Sequence, residues 1–169
     1  MTNTLTIKDL RAADACEDQV KLFERHFGDG GTVTLAKVRK VASLFNWNWA
    51  ALHLLSPARW AEYYRVKASA RAEYNRAEAS ALAEHKRATT PALAKYNRVT
   101  ASAWAECNRV TAWSWAEYNR ATAPAWAEYN RVRASARAEY KRVIAPARAE
   151  YERAKASAWF AGWKKDHEK

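Results

Sequence analysis

The chain has 169 residues, with 29 Lys and Arg against 18 Asp and Glu, and a formal net charge of +11. This length suits one ordinary domain, or a small domain with an extended element. Charged residues interrupt the apolar runs every few positions, which excludes a transmembrane helix of about 20 residues. The excess of positive charge favours an acidic partner, such as nucleic acid, an anionic lipid surface or an acidic protein.

Residues 1–56 predict a small N-terminal helical module. In "IKDLRAADACEDQVKLFERHF" the apolar residues recur at helical spacing, and "GDGG" ends that helix. Thr34 is an N-cap candidate for a second helix that carries Val38 and Val41 inward. In the third segment, "NWNWAALHLL", Trp47 and Trp49 are expected to close the helical core rather than to form a recognition surface. The expected inward residues of the first helix are Leu10, Ala13, Val20, Leu22, Phe23 and Phe27.

Residues 57–160 contain an eleven-residue unit that recurs nine times from Ala61 to Trp159. Its general form is Ala-Glu-Tyr-x-Arg-Val-x-Ala-Ser/Pro-Ala-Trp/Arg/Leu, and we number these positions 1 to 11. Eleven residues make three turns at about 3.67 residues per turn, so each position stays on nearly one side of an α-helix. The sequence therefore predicts an all-α fold, in which the small module precedes an extended, proline-kinked helical array. A basic and polar tail follows at 161–169.

The repeat predicts one aromatic stripe and one polar stripe along the helix. Positions 3, 6 and 10 become neighbours, with position 11 close by, and positions 2, 5 and 9 lie on the other side. Position 5 is Arg in all nine units, and Glu stands three residues before it in eight, which predicts i,i+3 ion pairs. Unpaired cations at variable positions flank the aromatic stripe. The candidate partner-binding residues are Trp104, Trp115, Trp126, Tyr118, Tyr129, Tyr140, Arg133, Arg137 and Arg148.

Pro91, Pro124 and Pro146 all occupy position 9. Kinks in the same phase would bend one rod with its aromatic stripe on the concave side, whereas the alternative is that each proline begins a new helical piece. Pro57, which follows Ser56, is the expected start of the array. Because no Gly lies between Thr32 and Ala161 to supply a tight reversal, we favour one kinked or segmented helix. Its uncovered stripe predicts self-association into a homo-oligomer.

The residue pattern shows no catalytic constellation. None of the four histidines stands at metal-ligand spacing. Cys16 and Cys107 are single thiols without a CxxC partner, which is typical of a reducing cytoplasmic setting. The string "FGDGGT" lacks the lysine of a P-loop and follows a helix rather than a strand. We therefore expect no enzyme activity, no cofactor and no metal site.

The segment "ACEDQVKLFERHFGDGGTVTLAKV" and the repeats "AEYNRATAPAW" and "AEYKRVIAPAR" resemble uncharacterised phage- and prophage-borne bacterial proteins. Those proteins pair a short "AC…LF…FG" helical module with AEYxRVxAPAx arrays. The resemblance covers nearly the whole chain and implies a phage accessory protein in the cytoplasm of a bacterial host, where interference with host defence is a common role. It carries no assigned activity and no functional residues. Proline-punctuated repeats of this period are also similar to those of exchangeable apolipoproteins, whose stripe is rich in Leu rather than in aromatic residues.

Three functions fit this pattern, and the first is favoured. It is a non-enzymatic helical repeat protein that binds a protein partner, or other copies of itself, through the aromatic and basic stripe. The second is nucleic-acid or nucleotide binding, with bases stacked on Trp and Tyr and phosphates held by Arg and Lys. The third is adsorption of an amphipathic helix to an anionic membrane surface.

Overall fold

The computed structural model describes residues 4–109 and 115–167, and these residues form six α-helices. The predicted all-α fold is confirmed. The helices are α1 (Ile7–Ala12), α2 (Glu17–Phe27), α3 (Leu35–Lys40), α4 (Trp47–Leu54), α5 (Pro57–Arg109) and α6 (Trp115–His167).

The first helix predicted from the sequence is in fact two helices. Asp14, at a φ of 58°, lies between them in the left-handed region, so the helical path stops there. Thr6 and Asp9 cap α1 reciprocally, and the hydrogen bond from the Thr6 side chain lowers the pKa of Asp9. Because of this break, Leu10 of α1 and Val20 of α2 can both pack in the same core. The predicted stop is confirmed, because Gly28 ends α2 at a φ of 77°.

The next two helices follow the sequence prediction closely. Thr34 caps α3, since its hydroxyl accepts a hydrogen bond from the Lys37 amide at 3.3 Å. Trp47 of α4 is buried and donates its indole N–H to the Ala42 carbonyl at 2.6 Å. Trp47 is therefore a core residue, as predicted, while Trp49 is half-buried.

The chain divides into two compact units whose boundaries lie inside α5 and α6. The first unit comprises Met1–Asn75 and Pro146–Lys169, and the second comprises Arg76–Ala145. The sequence interpretation placed its boundaries at residues 56 and 160 instead. The difference arises because the N-terminal helices pack against both ends of the repeat array.

In the first unit, the N-terminal helices share one core with the start of α5 and the end of α6. The Trp159 ring lies 5.1 Å from the Trp47 ring and 5.8 Å from the Trp163 ring. Tyr63 is buried and donates its hydroxyl hydrogen to the Asn48 side-chain oxygen at 2.9 Å. Since α6 continues to His167, most of the segment predicted as a polar tail is helical, and its Trp163 is a core residue.

Gly162 permits close approach of α5 and α6 in this unit. It stands where the repeat would place its next Tyr, at position 3. A Cβ atom there would meet the Arg59 Cβ at 3.2 Å and the Leu55 Cδ1 at 3.3 Å. Nearby, Ser56 donates its backbone N–H and its hydroxyl to the Asp166 carboxylate, each at 2.8 Å.

The repeat array folds back on itself. In each unit, residues further along α5 contact residues that lie earlier in α6, so the two helices are antiparallel. The expectation of a single rod, covered only by other copies of the chain, is wrong. The connection between Arg109 and Trp115 lies outside the described residues. The ring pairs that join the helices at position 3 are Tyr74–Tyr151 at 6.0 Å in the first unit, with Tyr96–Tyr129 at 6.2 Å and His85–Tyr140 at 6.3 Å in the second.

The prolines at position 9 do not divide the array. Pro91 lies inside α5, while Pro124 and Pro146 lie inside α6, and all three are exposed. The alternative in which each proline begins a new helix is therefore not found. Pro57 does begin a helix, at the position where its missing N–H costs no intrahelical hydrogen bond.

Candidate partner-binding face

Positions 3, 7 and 10 line the seam between α5 and α6 in the second unit. Their spacing of four, three and four residues keeps them on one side of each helix. The inward placement of positions 3 and 10 is confirmed, because the former is half-buried and the latter holds most of the buried residues. Position 6 is half-buried at Val99 and Val132 and exposed at Ala121, while position 7 is buried at Thr122 and exposed at Arg133, so both positions lie at the edges of the seam. The buried residues at position 10 are Ala81, Ala103, Ala125 and Ala136.

Two equivalent contacts show where position 11 points. The Trp104 ring of α5 lies 6.1 Å from the Tyr118 ring of α6, and the Trp126 ring of α6 lies 5.1 Å from the Tyr96 ring of α5. Each contact joins position 11 of one helix to position 3 of the other. The two helix segments are therefore related by a local two-fold axis perpendicular to both. Such an axis keeps equivalent positions on the same side of a helix pair, so position 11 of α5 and of α6 share one face.

We call this surface of the second unit the position-11 face. Its large apolar side chains are 40–65% exposed, although aromatic and aliphatic residues of this size are usually buried. Trp115 stacks on Tyr118 with ring centroids 4.9 Å apart, so one side of the indole is supported and the other is open. Large exposed apolar side chains that share one face are typical of an interaction surface. The apolar residues of the face are Leu82, Leu93, Trp104, Trp115 and Trp126.

Three cations extend this face along α6. Arg133, Arg137 and Lys141 follow one another at spacings of four residues and line a shallow surface depression. They continue from Trp126 on the same side of the helix, because the steps of seven and four residues correspond to whole turns. Within residues 4–109 and 115–167, none of the three lies within ion-pair distance of a carboxylate. Their charge is therefore available to a partner.

The opposite face of the array is neutralised by ion pairs. In the second unit, Arg131 donates two hydrogen bonds to the Glu128 carboxylate, and Arg142 does the same to Glu139. These bonds lower the pKa of each Glu and raise the pKa of each Arg, because they stabilise the charged forms. The predicted i,i+3 pairing is confirmed at Glu84–Arg87, Glu106–Arg109, Glu128–Arg131, Glu139–Arg142 and Glu150–Arg153.

The structure sorts the candidate residues into different roles. The three Trp lie on the position-11 face, together with Arg133 and Arg137. The candidate Tyr residues, at 118, 129 and 140, are half-buried at the seam and support the face from below. Arg148 belongs to the first unit. Sequence reasoning missed Leu82 and Leu93, although both residues share the Trp position and could have been found from that register.

The described residues contain no group of three or more His, Cys, Asp or Glu side chains that could hold a metal ion. Cys16 is exposed, Cys107 is half-buried, and both are free thiols. An apolar cleft in the first unit, lined by residues such as Phe23 and Trp47, has about 40 Å³ of free volume, which is room for about one water molecule.

Among the helices that the structure describes, none combines the length and the apolar character needed to span a membrane.

Comparison of the chain with protein-family models, with curated proteins and with solved structures found no match.

Proposed function

We propose that this chain is a non-enzymatic helical repeat protein that binds a protein partner through the position-11 face. The observation that carries the proposal is the exposure of three Trp and two Leu on one face of the second unit, next to three cations that have no carboxylate partner among the described residues. Trp and Arg are the residues that most often dominate the energy of protein interfaces. A cation beside an apolar patch orients an acidic partner as it binds and raises the rate of association.

The composition of the face favours protein over nucleic acid. Leu82 and Leu93 offer aliphatic surface, which stacks poorly on bases but fills apolar pockets of a protein well. The arginines at position 5 are held by Glu in the units listed above, so they offer phosphates little net charge. The proposed partner therefore presents an apolar surface edged with carboxylates.

The same charges disfavour one form of self-association. Two copies meeting through their position-11 faces would bring Arg133, Arg137 and Lys141 of each chain together without carboxylates on that part of α6, which costs like-charge repulsion. The fold-back of the array also covers the seam positions within one chain. An oligomer, if it forms, is accordingly proposed to use a different surface.

The resemblance to phage-borne repeat proteins supports a bacterial host protein as the partner. We propose a phage accessory role in the host cytoplasm, with host machinery or a defence protein as the target. The protein would act on such a target by covering a surface that the target needs.

The repeat supplies the variants that test the proposal. Position 11 accepts Trp, Leu and Arg in this chain, so the triple variant Trp104→Arg, Trp115→Arg, Trp126→Arg changes the face and spares the fold. Wild type and variant are used for affinity capture from a nuclease-treated bacterial lysate, followed by mass spectrometry. We expect a protein that wild type retains and the variant loses. The matched control, Arg131→Gln with Arg142→Gln on the opposite face, should retain it.

The other functions predict different results. If nucleic acid is the partner, the retained material disappears with nuclease, and added arginines strengthen rather than weaken binding to a labelled single strand. If an anionic membrane is the partner, the protein sediments with anionic vesicles and the capture finds no specific protein. A capture profile that the triple Trp variant leaves unchanged would contradict the proposal directly.

A further inference from the structure

A cluster of three cations in the first unit departs from the pattern of the repeat. Lys67 and Lys155 occupy position 7 on α5 and α6, and Arg71 occupies position 11 on α5. In the second unit the same positions hold neutral residues in most repeats, with Thr at position 7 and Leu or Trp at position 11. The charged exceptions among the described residues are Glu78, Arg133 and Arg137. The neutral residues at these two positions are Thr89, Thr100, Thr122, Ile144, Leu82, Leu93, Trp104, Trp115 and Trp126.

Aromatic rings hold these cations close to one another. The Arg71 guanidinium carbon lies 5.3 Å from the Tyr74 ring centroid and 5.6 Å from the Tyr151 ring centroid. The Lys155 Nζ lies 4.8 Å from the same Tyr151 ring, so one ring of α6 is shared by cations of both helices. The rings fix the guanidinium and the ammonium in place through cation–π attraction.

Lys67 completes the cluster from the α5 side. Its Nζ lies 4.7 Å from the Tyr64 ring centroid, and Tyr64 in turn packs on Trp60 with ring centroids 4.6 Å apart. The contact of Arg71 with Tyr151 joins position 11 of α5 to position 3 of α6, as the Trp104–Tyr118 contact does in the second unit. In this register, position 7 of one helix lies opposite position 7 of the other. Lys67 and Lys155 therefore face each other across the seam.

The cluster has more positive than negative charge. Glu152 pairs with Lys155 at 2.6 Å, and among the described residues neither Lys67 nor Arg71 lies within ion-pair distance of a carboxylate. Burial lowers the pKa of Lys67, and the charges of Lys155 and Arg71 lower it further. Arg148 occupies position 11 of α6 in the same unit, so the same register adds another exposed cation to this face.

We propose that Lys67, Arg71 and Lys155 form a binding site for a phosphate group. A phosphate group compensates about two positive charges at neutral pH. It can accept bidentate hydrogen bonds from the guanidinium, while the ammonium groups attract it as point charges. Because the Tyr rings already hold the cations together, little side-chain entropy remains to be lost on binding. Trp60 and Tyr64, which are partly exposed beside Lys67, would add stacking for a nucleotide base. The site is separate from the position-11 face of the second unit and does not depend on the function proposed for it.

Calorimetric titration of the full chain with pyrophosphate, at about 50 mM salt to limit screening, tests the site. Arg71→Leu and Lys155→Thr are the test variants, since the repeat itself uses Leu and Thr at those positions. Arg137→Leu is the matched control, because it removes one charge at the same repeat position in the second unit. We expect each test variant to weaken binding at least about tenfold and the control to leave the Kd unchanged. Circular dichroism confirms that the helix content of each variant is intact.

The proposal is wrong if wild type binds no pyrophosphate. It is also wrong if the control weakens binding as much as the test variants do, because pyrophosphate would then be attracted by net charge alone. A parallel titration with ADP separates the two sources of the phosphate group. Equal affinity for ADP and pyrophosphate supports a site for the phosphate moiety alone, and tighter binding of ADP that Trp60→Ala removes supports a nucleotide site. The Trp104, Trp115, Trp126 variant should bind pyrophosphate like wild type, which keeps this outcome independent of partner capture.

Discussion

Trp163 gives the sharpest test of how the two ends of the chain are joined. It is 1% exposed and lies in the last turns of α6, where its ring packs 5.8 Å from Trp159 and 4.7 Å from His167. Trp163→Ala would empty part of the core that the N-terminal helices share with the end of α6. Because that core includes residues of α1 to α4, which are distant from Trp163 in the sequence, the loss affects tertiary packing rather than helix propensity.

The expected cost follows from the buried area. A buried indole removes about 200 Å² from water, which at about 25 cal/mol per Å² corresponds to about 5 kcal/mol. Since that figure is an upper bound and large-to-small core changes of this type cost about 3–5 kcal/mol, we expect a loss of about 4 kcal/mol in the free energy of unfolding. At an m-value of about 2 kcal/mol per M, the midpoint of urea unfolding falls by about 2 M.

The assay is urea unfolding followed by far-ultraviolet circular dichroism. Trp115→Ala is the matched control, because Trp115 is 65% exposed and its removal should change stability by no more than about 0.5 kcal/mol. Equal losses in the two variants would refute the reasoning, as would a loss below about 1 kcal/mol for Trp163→Ala. Either result would mean that the end of α6 does not close the core.

The remaining predictions concern single positions in both units. Pro124→Ala should raise the melting temperature, because a proline inside a helix costs up to about 3 kcal/mol relative to Ala, and a lower melting temperature would contradict the view that α6 runs through it. Tyr63→Phe should cost about 1 kcal/mol in urea unfolding, because it removes the hydrogen bond to Asn48. Burial raises the pKa of Tyr63 above its usual 10.0, so the unfolded chain loses this proton at a lower pH than the folded chain does. The free energy of unfolding should therefore fall as the pH rises through about 10. If it stays constant between about pH 9 and 11 in wild type, as in Tyr63→Phe, the prediction is wrong. Gly162→Tyr, which restores the residue of the repeat, should disrupt the first unit through collision with Leu55 and Arg59, and a soluble variant with unchanged near-ultraviolet circular dichroism would disprove that packing.

The sequence alone determined the local features of the array. The eleven-residue period specifies α-helix because it matches three helical turns, and the Glu–Arg pairs follow because residues three apart meet on any helix surface. The N-cap of α3 at Thr34 and the end of α2 at Gly28 are equally local, since each depends on a few neighbouring backbone groups. The break at Asp14 was missed because periodicity across "RAADAC" fits a continuous helix until the tertiary positions of Leu10 and Val20 are known.

Only the tertiary structure decided which way the array folds and which aromatic residues it covers. Trp126 and Trp159 occupy the same repeat position, yet the first is 47% exposed and the second is 3% exposed. No pattern within the repeat separates them, because the difference comes from Trp47 and its neighbours packing on one end of α6 and not on the segment that holds Trp126. Residues 110–114 include no Gly or Pro that would predict a reversal from the sequence, so antiparallel pairing depends on the match between position 3 and position 11 of two helices far apart in the chain. The same residue type thus becomes core or surface according to long-range packing, which a repeating sequence cannot encode locally.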